Sequence, residues 1–147
     1  MPEGLHAGLD RDDRQDIADL LVRYASAIDR RDWQLLRSCF TDNCTVDYQD
    51  VAVWHTADEL TEYMRDVHAP CSGVLHRITN QSISQNVDGS VAARSYVDAL
   101  VLFSADTGFH MAGFYDDRIM RTDDGWKIAE RRYSRVLQEP VGSAPSP

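Results

Sequence analysis

The chain has 147 residues, of which 43% are hydrophobic and 27% charged, a composition typical of one globular domain with a core of useful size. Its formal net charge of -9 argues against a nucleic-acid partner, because phosphate binding requires a basic face. No apolar run approaches the roughly 20 residues that cross a bilayer, and the polar N-terminus lacks the apolar segment of a signal peptide. We therefore expect a cytoplasmic protein with no nucleic-acid and no membrane partner.

The N-terminal part of the chain predicts two helices. From about Asp12 to Ile28 the apolar residues recur at one-face helical spacing, which indicates a helix of about five turns. A second helix is expected around Asp32–Cys39, where Trp33, Leu36 and Phe40 would share a side. The polar residues Thr41–Asn43 are expected to end it.

Two short strands and a third helix are predicted next. Thr45–Tyr48 and Val51–His55 have strand-like patterns and are separated by a polar pair. Thr56 and Glu59 have the spacing of a capping box, with Thr56 as the N-cap of a helix that carries Leu60 and Met64. Pro70 and Gly73 should end that segment.

From Val74 onward the pattern changes to long strands joined by turn residues. Four strands are predicted, and the turns between them have hairpin chemistry. Helices followed by an antiparallel meander give an α+β fold, and the sheet must curl over the helices into a cone to bury one face. The predicted strands are Val74–Asn86, Ser90–Ser104, Phe109–Thr122 and Trp126–Gln138. We expect a single domain over residues 12–138, with loose termini at 1–11 and 139–147.

The cysteines and histidines give no metal-binding pattern. Cys39, Cys44 and Cys71 cannot all pair within one chain, and the Cys39–Cys44 spacing has no second pair to complete a zinc site. We interpret all three as reduced, buried small hydrophobes. Nucleotide-binding glycine motifs and the GxSxG motif of serine hydrolases are absent too. The sequence therefore predicts neither a metal site nor a cofactor.

Three polar groups lie against an apolar background. Tyr24 falls within the buried stripe of the first helix, and Asp29 lies at the edge of that stripe near the helix C-terminus, where the helix dipole does not stabilise a carboxylate. His76 opens the first long strand. Each also has a plain structural interpretation: Asp29 could face water in a polar turn, and His76 could be a half-exposed strand histidine.

Asp98 interrupts the otherwise apolar strand segment SYVDALVLF. Ionised carboxylates are almost never buried without a partner, so Asp98 is a candidate functional group. The alternative is a structural ion pair with Arg131 or Arg132 on the last strand, and the two interpretations do not exclude each other.

The order of these segments resembles the SnoaL-like branch of the nuclear-transport-factor-2-like superfamily. The resemblance covers roughly Asp12 to Tyr133 and rests on IADLLVRYASAIDRRDWQLLRSCFTDNCTVDY, LHRITNQSISQNVDGSVAARSYVDA and GFYDDRIMRTDDGWKIAERR. It implies a conical, strongly bent sheet closed by three helices (a cystatin-like α+β barrel), commonly dimeric through the open sheet face. Fold alone does not choose among the superfamily's dehydratases, cyclases, isomerases and non-catalytic members.

The dehydratase-type members pair a Tyr and an Asp of the first helix with a His of the first long strand, and here Tyr24, Asp29 and His76 match. The bile-acid branch of these dehydratases adds an acidic residue on the next strand and an Arg on the last, for which Asp98 and Arg131 or Arg132 are the nearest candidates. Catalytic roles are thus expected for Tyr24, Asp29, His76 and Asp98. Substrate contacts are expected from Tyr48, Trp54, Asn80, Phe114, Arg131 and Arg132.

We therefore expect a cofactor-independent lyase or isomerase, most of all a dehydratase, acting on a small apolar carbonyl compound. Steroid, polyketide, terpenoid and aromatic substrates all remain open. His76 would remove a proton next to the carbonyl, Asp29 would orient the imidazole, and Tyr24 would donate a hydrogen bond. The alternative is a non-catalytic binding or assembly module that uses the same pocket. Its pocket would be lined by Trp33, Trp54, Tyr63, Phe103 and Phe114 without a working Asp–His pair.

A homodimer is also expected. The second long strand carries apolar residues on both alternating faces, whereas a single sheet layer with water on one side should alternate apolar with polar. One face can cover the cone, and the other needs a partner.

Overall fold

The computed structural model describes residues 8–104 and 106–142, so most of the two expected loose ends and Ala105 lie outside the described residues. Three helices and two short strands precede four long strands. The elements are α1 (Arg11–Arg30), α2 (Trp33–Ser38), β1 (Phe40–Asp47), β2 (Val53–Trp54), α3 (Ala57–His68), β3 (Gly73–Gln85), β4 (Val91–Leu102), β5 (Gly108–Thr122) and β6 (Gly125–Val141).

The strands form one six-stranded sheet in the order β2-β1-β6-β5-β4-β3. β1 runs parallel to β6, and the other neighbours are antiparallel. The register shifts between Thr79 and Ser82 in β3 and at two points of the β5–β6 pair, and such irregularities bend a sheet. The mixed, curved sheet with three helices confirms the expected α+β fold.

The helices begin where the sequence supplies caps. The Asp10 carboxylate accepts a hydrogen bond from the Asp13 backbone N–H, which starts α1. Thr56 Oγ1 accepts from the Glu59 N–H at 3.1 Å, as expected for α3. The Glu59 carboxylate accepts a hydrogen bond from the backbone N–H of His55, whereas a capping box would use the N–H of Thr56, one residue later.

Most element boundaries differ from the sequence expectation by one or two residues, and two differ by three or more. Residues 41–43 belong to β1, because the chain pairs with β6 as soon as α2 ends: the Ile128 N–H donates to the Cys39 carbonyl at 2.8 Å, and Phe40 lies opposite Ile128. β6 continues to Val141, three residues beyond the expected end of the domain at residue 138, because it pairs with the start of β5, with Val141 opposite Gly108.

The sheet has two faces with different surroundings. We call the face packed against the helices the inner face; on β4 it carries Ala93, Val97, Ala99 and Val101, all buried. The core joins this face to the apolar stripe of α1, including Ile17, Leu20 and Ile28. The opposite, outer face of β4 carries Arg94, Tyr96, Asp98 and Leu100, as strand alternation requires. None of the helices in the described residues combines the length and apolarity needed to cross a membrane.

Candidate active site

A cavity of about 260 Å³ lies between the inner face of the sheet, α1 and α3. Its wall is mainly apolar and aromatic, which suits an organic ligand of modest size. The polar groups on it are few and come from different elements. The lining residues that carry the argument below are Tyr24, Tyr48, His68, His76, Tyr115 and Gln138.

Asp29 and His76 form a doubly hydrogen-bonded pair at the cavity wall. His76 Nδ1 lies 2.7 Å from Asp29 Oδ1, and the His76 backbone N–H donates to Asp29 Oδ2 at 2.9 Å. The imidazole side chain is only 6% exposed and the carboxylate 23%. One carboxylate therefore fixes both the backbone and the ring of His76.

Local structure explains why this pair forms. Asp29 occupies the last turn of α1, and the next residue but one, Arg31, adopts the left-handed conformation at φ 59° that ends the helix. β3 then runs past that helix end with His76 on the inner face, opposite Ala99 of β4. The helix terminus and the strand start thereby bring the carboxylate and the imidazole together.

The pair also sets the tautomer of His76. A carboxylate only accepts hydrogen bonds, so Nδ1 carries the proton that Asp29 receives. Nε2 is then the unprotonated nitrogen of the neutral ring and takes part in no hydrogen bond among the described residues. His76 can accept a proton at Nε2 while Asp29 stabilises the resulting imidazolium.

Three tyrosines form a hydroxyl cluster on the same cavity. The hydroxyl of Tyr24 is hydrogen-bonded to that of Tyr48 and lies 3.5 Å from that of Tyr115. Burial raises the pKa of both Tyr48 and Tyr115 well above the ordinary value of 10.0, and the neighbouring Tyr24 adds to the effect. These phenols therefore stay protonated and act as hydrogen-bond donors, not as bases. Tyr24 also packs edge-on against His76, with ring centroids 6.4 Å apart.

A buried ion pair between Arg131 and Asp117 packs against the rings of the tyrosine cluster. Arg131 donates to both carboxylate oxygens of Asp117 at 2.7 and 2.8 Å, and both side chains are almost fully buried. The guanidinium carbon lies 4.2 Å from the centre of the Tyr24 ring and 3.8 Å from that of Tyr115. Burial acts against the charge of Arg131, but Asp117 raises its pKa well above the ordinary value. A fixed positive charge therefore lies directly under two of the tyrosine rings.

Tyr115 and Asp117 are site residues that our sequence reasoning missed. The signal was strand alternation in FYDDRIM: Tyr115, Asp117 and Ile119 share one face, and Ile119 marks that face as buried. A carboxylate on the core face of a strand requires a partner, and Arg131 is opposite it in the β5–β6 register.

His68 is a second histidine on the cavity, at the end of α3. Its Nδ1 lies 2.8 Å from the carbonyl of Met64, one helical turn earlier, and the residue is 8% exposed. Trp33 packs on the ring at a centroid distance of 6.1 Å. Burial lowers the pKa of His68, and the nearby His76 and Arg31 add to this, so the ring is neutral near pH 7.

Of the expected substrate contacts, Tyr48 lines the cavity, Trp54 lies behind it and Arg131 lies beneath it. Trp54 packs against Tyr48 and Tyr63 with ring centroids 5.4 and 4.6 Å away. Tyr63 and Phe103 also line the cavity, as expected for the pocket wall. Trp33 contacts the cavity only through His68.

The expected placement of Asp98 in the site is wrong. Asp98 lies on the outer face, where it binds Arg77 at 2.9 Å and is hydrogen-bonded to His110. It is not buried, since its side chain is 39% exposed, and neither Arg131 nor Arg132 contacts it among the described hydrogen bonds. The physical reason is the two-residue period of β4: Val97 and Ala99 face inward, so the residue between them faces outward.

Three more expected contacts lie away from the cavity. Phe114 is on the outer face, where it packs edge-on against Tyr96 at 5.0 Å and under Arg94. Arg132 is also on the outer face, 3.5 Å from an Asp47 oxygen, because the adjacent Arg131 takes the inner position. Asn80 is exposed at the register shift in β3, has a φ of 50° and does not line the cavity.

Metal-ligand side chains do not converge within residues 8–104 and 106–142, since no group of three or more His, Cys, Asp or Glu side chains lies in suitable positions. Cys39, Cys44 and Cys71 are free and buried, as interpreted from the sequence. Burial raises the pKa of Cys39 and of Cys44 to about 11, so these thiols are not reactive nucleophiles near neutral pH.

The chain is similar to a protein-family model, to a mycobacterial protein and to several solved structures. The model of the SnoaL-like domain matches residues 10–132. An uncharacterized protein of Mycobacterium tuberculosis is 29% identical over 131 residues, which cover 86% of this chain and 88% of that protein. A structure described as a hexachlorocyclohexane dehydrochlorinase, LinA type 2, has a TM-score of 0.80 at 19% identity over 91% of this chain and 94% of that one. A candidate scytalone dehydratase from Novosphingobium aromaticivorans also has a TM-score of 0.80, at 17% identity over 92% of this chain and 95% of that one.

Proposed function

Because the chain belongs to the SnoaL-like domain family, we propose that it is a cofactor-independent lyase or isomerase, most of all a dehydratase. Its substrate would be a small, apolar carbonyl compound that enters the cavity between α1, α3 and the sheet. The single observation that carries this proposal is the hydrogen bond of 2.7 Å between Asp29 and His76, whose imidazole lines that cavity.

The proposed reaction begins with proton abstraction. His76 Nε2 takes a proton from the carbon next to the substrate carbonyl, and the electron pair of the broken C–H bond passes into an enolate. Asp29 stabilises the imidazolium that forms. A positioned general base of this kind contributes about 10²–10⁴-fold in rate.

The tyrosine cluster would stabilise the enolate oxygen. The hydroxyl groups of Tyr24, Tyr48 and Tyr115 lie close together, and those of Tyr48 and Tyr115 stay protonated because burial raises their pKa values. The positive charge of Arg131 lies beneath the rings of Tyr24 and Tyr115. In a dehydration the enolate then expels a hydroxyl group from the neighbouring carbon. That hydroxyl recovers the proton held by His76 and leaves as water, so that His76 returns to its neutral form.

Two structural neighbours are consistent with this reaction class. One is named as a dehydrochlorinase and the other as a candidate dehydratase, and loss of HCl or water from adjacent carbons is in both cases an elimination. The pairing of Asp29 with His76 also favours an enzyme over a non-catalytic binding module, because ligand binding alone does not require an oriented base.

Solvent hydrogen exchange tests the proposal without the natural substrate. In D₂O the enzyme should accelerate exchange of the protons next to the carbonyl of 2-tetralone, a bicyclic ketone, and His76→Gln should lose that acceleration. Equal exchange with and without the enzyme would count against the proposed base.

We also propose that the protein is a cytoplasmic homodimer. Three free, buried cysteines fit a reducing compartment. The outer face presents the partly exposed apolar side chains of Leu75 and Tyr96 among ion pairs such as Arg94–Asp116, a mixture suited to a second copy of the same face.

A further inference from the structure

His68 lines the same cavity as His76 but has no part in the reaction described above. Its Nδ1 faces the Met64 carbonyl at 2.8 Å, and a carbonyl only accepts, so Nδ1 carries the proton. Nε2 is then an acceptor on the opposite edge of the ring and makes no hydrogen bond with any described residue.

The surroundings of His68 keep it in that state. Arg31 lies near it and binds the Cys71 carbonyl, and His76 is a second imidazole on the same cavity. Burial is the main reason that the pKa of His68 is lowered, and these two neighbours act in the same direction. Nε2 itself is not fully buried, so the hydroxyl group of a ligand in the cavity can reach it and donate a hydrogen bond to it.

The size of the cavity bounds the ligand. At about 260 Å³ it is less than twice the cavity of about 150 Å³ that encloses benzene in an engineered apolar core. One or two fused rings can be enclosed, whereas a four-ring skeleton would extend beyond the cavity. The apolar wall, which includes Val101, Phe109 and Met111, suits such rings.

We propose that His68 Nε2 accepts a hydrogen bond from a substrate hydroxyl, and that the site therefore selects one- or two-ring compounds bearing a hydroxyl group. This inference rests on the proposed function, because it takes the same cavity as the substrate site. His68 is a specificity-determining residue here, and His76 remains the base.

A pair of probes of equal shape tests the selectivity. 2-Naphthol carries a hydroxyl, and 2-fluoronaphthalene replaces it with a fluorine that cannot donate. By isothermal titration calorimetry, the wild-type protein should bind 2-naphthol about tenfold more tightly, the effect of one hydrogen bond of about 1.4 kcal/mol. In His68→Phe that preference should vanish, while 2-fluoronaphthalene binding stays within about twofold.

A matched set of variants identifies the acceptor. His68→Gln places an amide oxygen near the position of Nε2 and should restore most of the preference for 2-naphthol. His76→Phe should keep the preference, because its ring nitrogen is not the proposed partner. Loss of the preference in His76→Phe but not in His68→Phe would overturn the inference.

The remaining outcomes are distinguishable. Equal binding of both probes to the wild-type protein would overturn the role of His68 and leave the Asp29–His76 base untouched. Binding of neither probe would contradict the inference and the substrate cavity of the proposed function together. If His68→Phe does not fold, the ¹⁵N signal of His68 Nε2 in the wild-type protein decides: it should shift on addition of 2-naphthol, and an unmoved signal refutes the contact.

Discussion

Asp29 Oδ1 lies 2.7 Å from His76 Nδ1 although 47 residues separate the two along the chain. The contact joins the C-terminal turn of α1 to the start of β3, and the same carboxylate also holds the backbone N–H of His76. The ring is thereby fixed with Nε2 as its basic nitrogen on an apolar cavity. The proposed chemistry depends on this relationship more than on any other in the molecule.

The buried pair of Arg131 and Asp117 should be essential for stability. Arg131→Met leaves a buried carboxylate without its partner and should cost about 3–5 kcal/mol in the free energy of unfolding. Arg132→Met is the matched control: its side chain is 65% exposed, so the change should stay within about 0.5 kcal/mol. Unfolding by denaturant gives the free energy of unfolding of both variants. If Arg131→Met has the same free energy of unfolding as the wild-type protein, the ion pair does not stabilise the fold.

The loss in the free energy of unfolding caused by Arg131→Met should depend on pH. Burial raises the pKa of Asp117 even beside Arg131, and without the arginine nothing opposes that effect. A carboxyl with a raised pKa in the folded state destabilises the fold at higher pH, and this is relieved as the pH falls through that pKa. The stability difference between Arg131→Met and wild type should therefore be smaller at pH 5 than at pH 7. A larger difference at pH 5 would contradict the assignment.

His110 should stabilise the fold only at lower pH. Glu139 and Asp98 raise its pKa above the ordinary value of 6.5. Because the pKa of His110 is higher in the folded state than in the unfolded state, its protonation stabilises the fold. This stabilisation is fully present below the pKa of the unfolded state and is lost as the pH rises through the pKa of the folded state. In an NMR titration, Asp98→Asn should lower the pKa of His110, whereas its effect on turnover should be less than about twofold because Asp98 is on the outer face. A large loss of turnover in Asp98→Asn would contradict the conclusion that Asp98 lies outside the active site.

The sequence contained enough information for the fold and for the central pair, but not for the whole site. Helical spacing and caps located the three helices, and Tyr24, Asp29 and His76 were identified through the family resemblance. Asp98 was misplaced because its apolar neighbours suggested burial, although the two-residue period of β4 already put it with Tyr96 and Leu100 on the outer face. The Asp117–Arg131 pair depends on the β5–β6 register, which the sequence alone does not fix.

The homodimer should form through the outer face. Light scattering at micromolar concentration should give twice the chain mass of 16.6 kDa. Tyr96→Asp places a charge among the apolar side chains of that face and should shift the protein toward the monomer. Val22→Asp, at a position 49% exposed on α1, is the matched control and should leave the dimer intact. A monomer mass for the wild-type protein would overturn the proposal.

The most direct test of the proposed base is the exchange of 2-tetralone protons by Asp29→Asn in D₂O, followed by ¹H NMR. Asparagine keeps the shape of the side chain but removes the charge that stabilises the imidazolium, so the rate should fall by about 10²-fold or more while folding stays nearly intact. Asp16→Asn, the same change at an exposed position of α1, should exchange at the wild-type rate. A wild-type exchange rate in Asp29→Asn would contradict the Asp29–His76 mechanism.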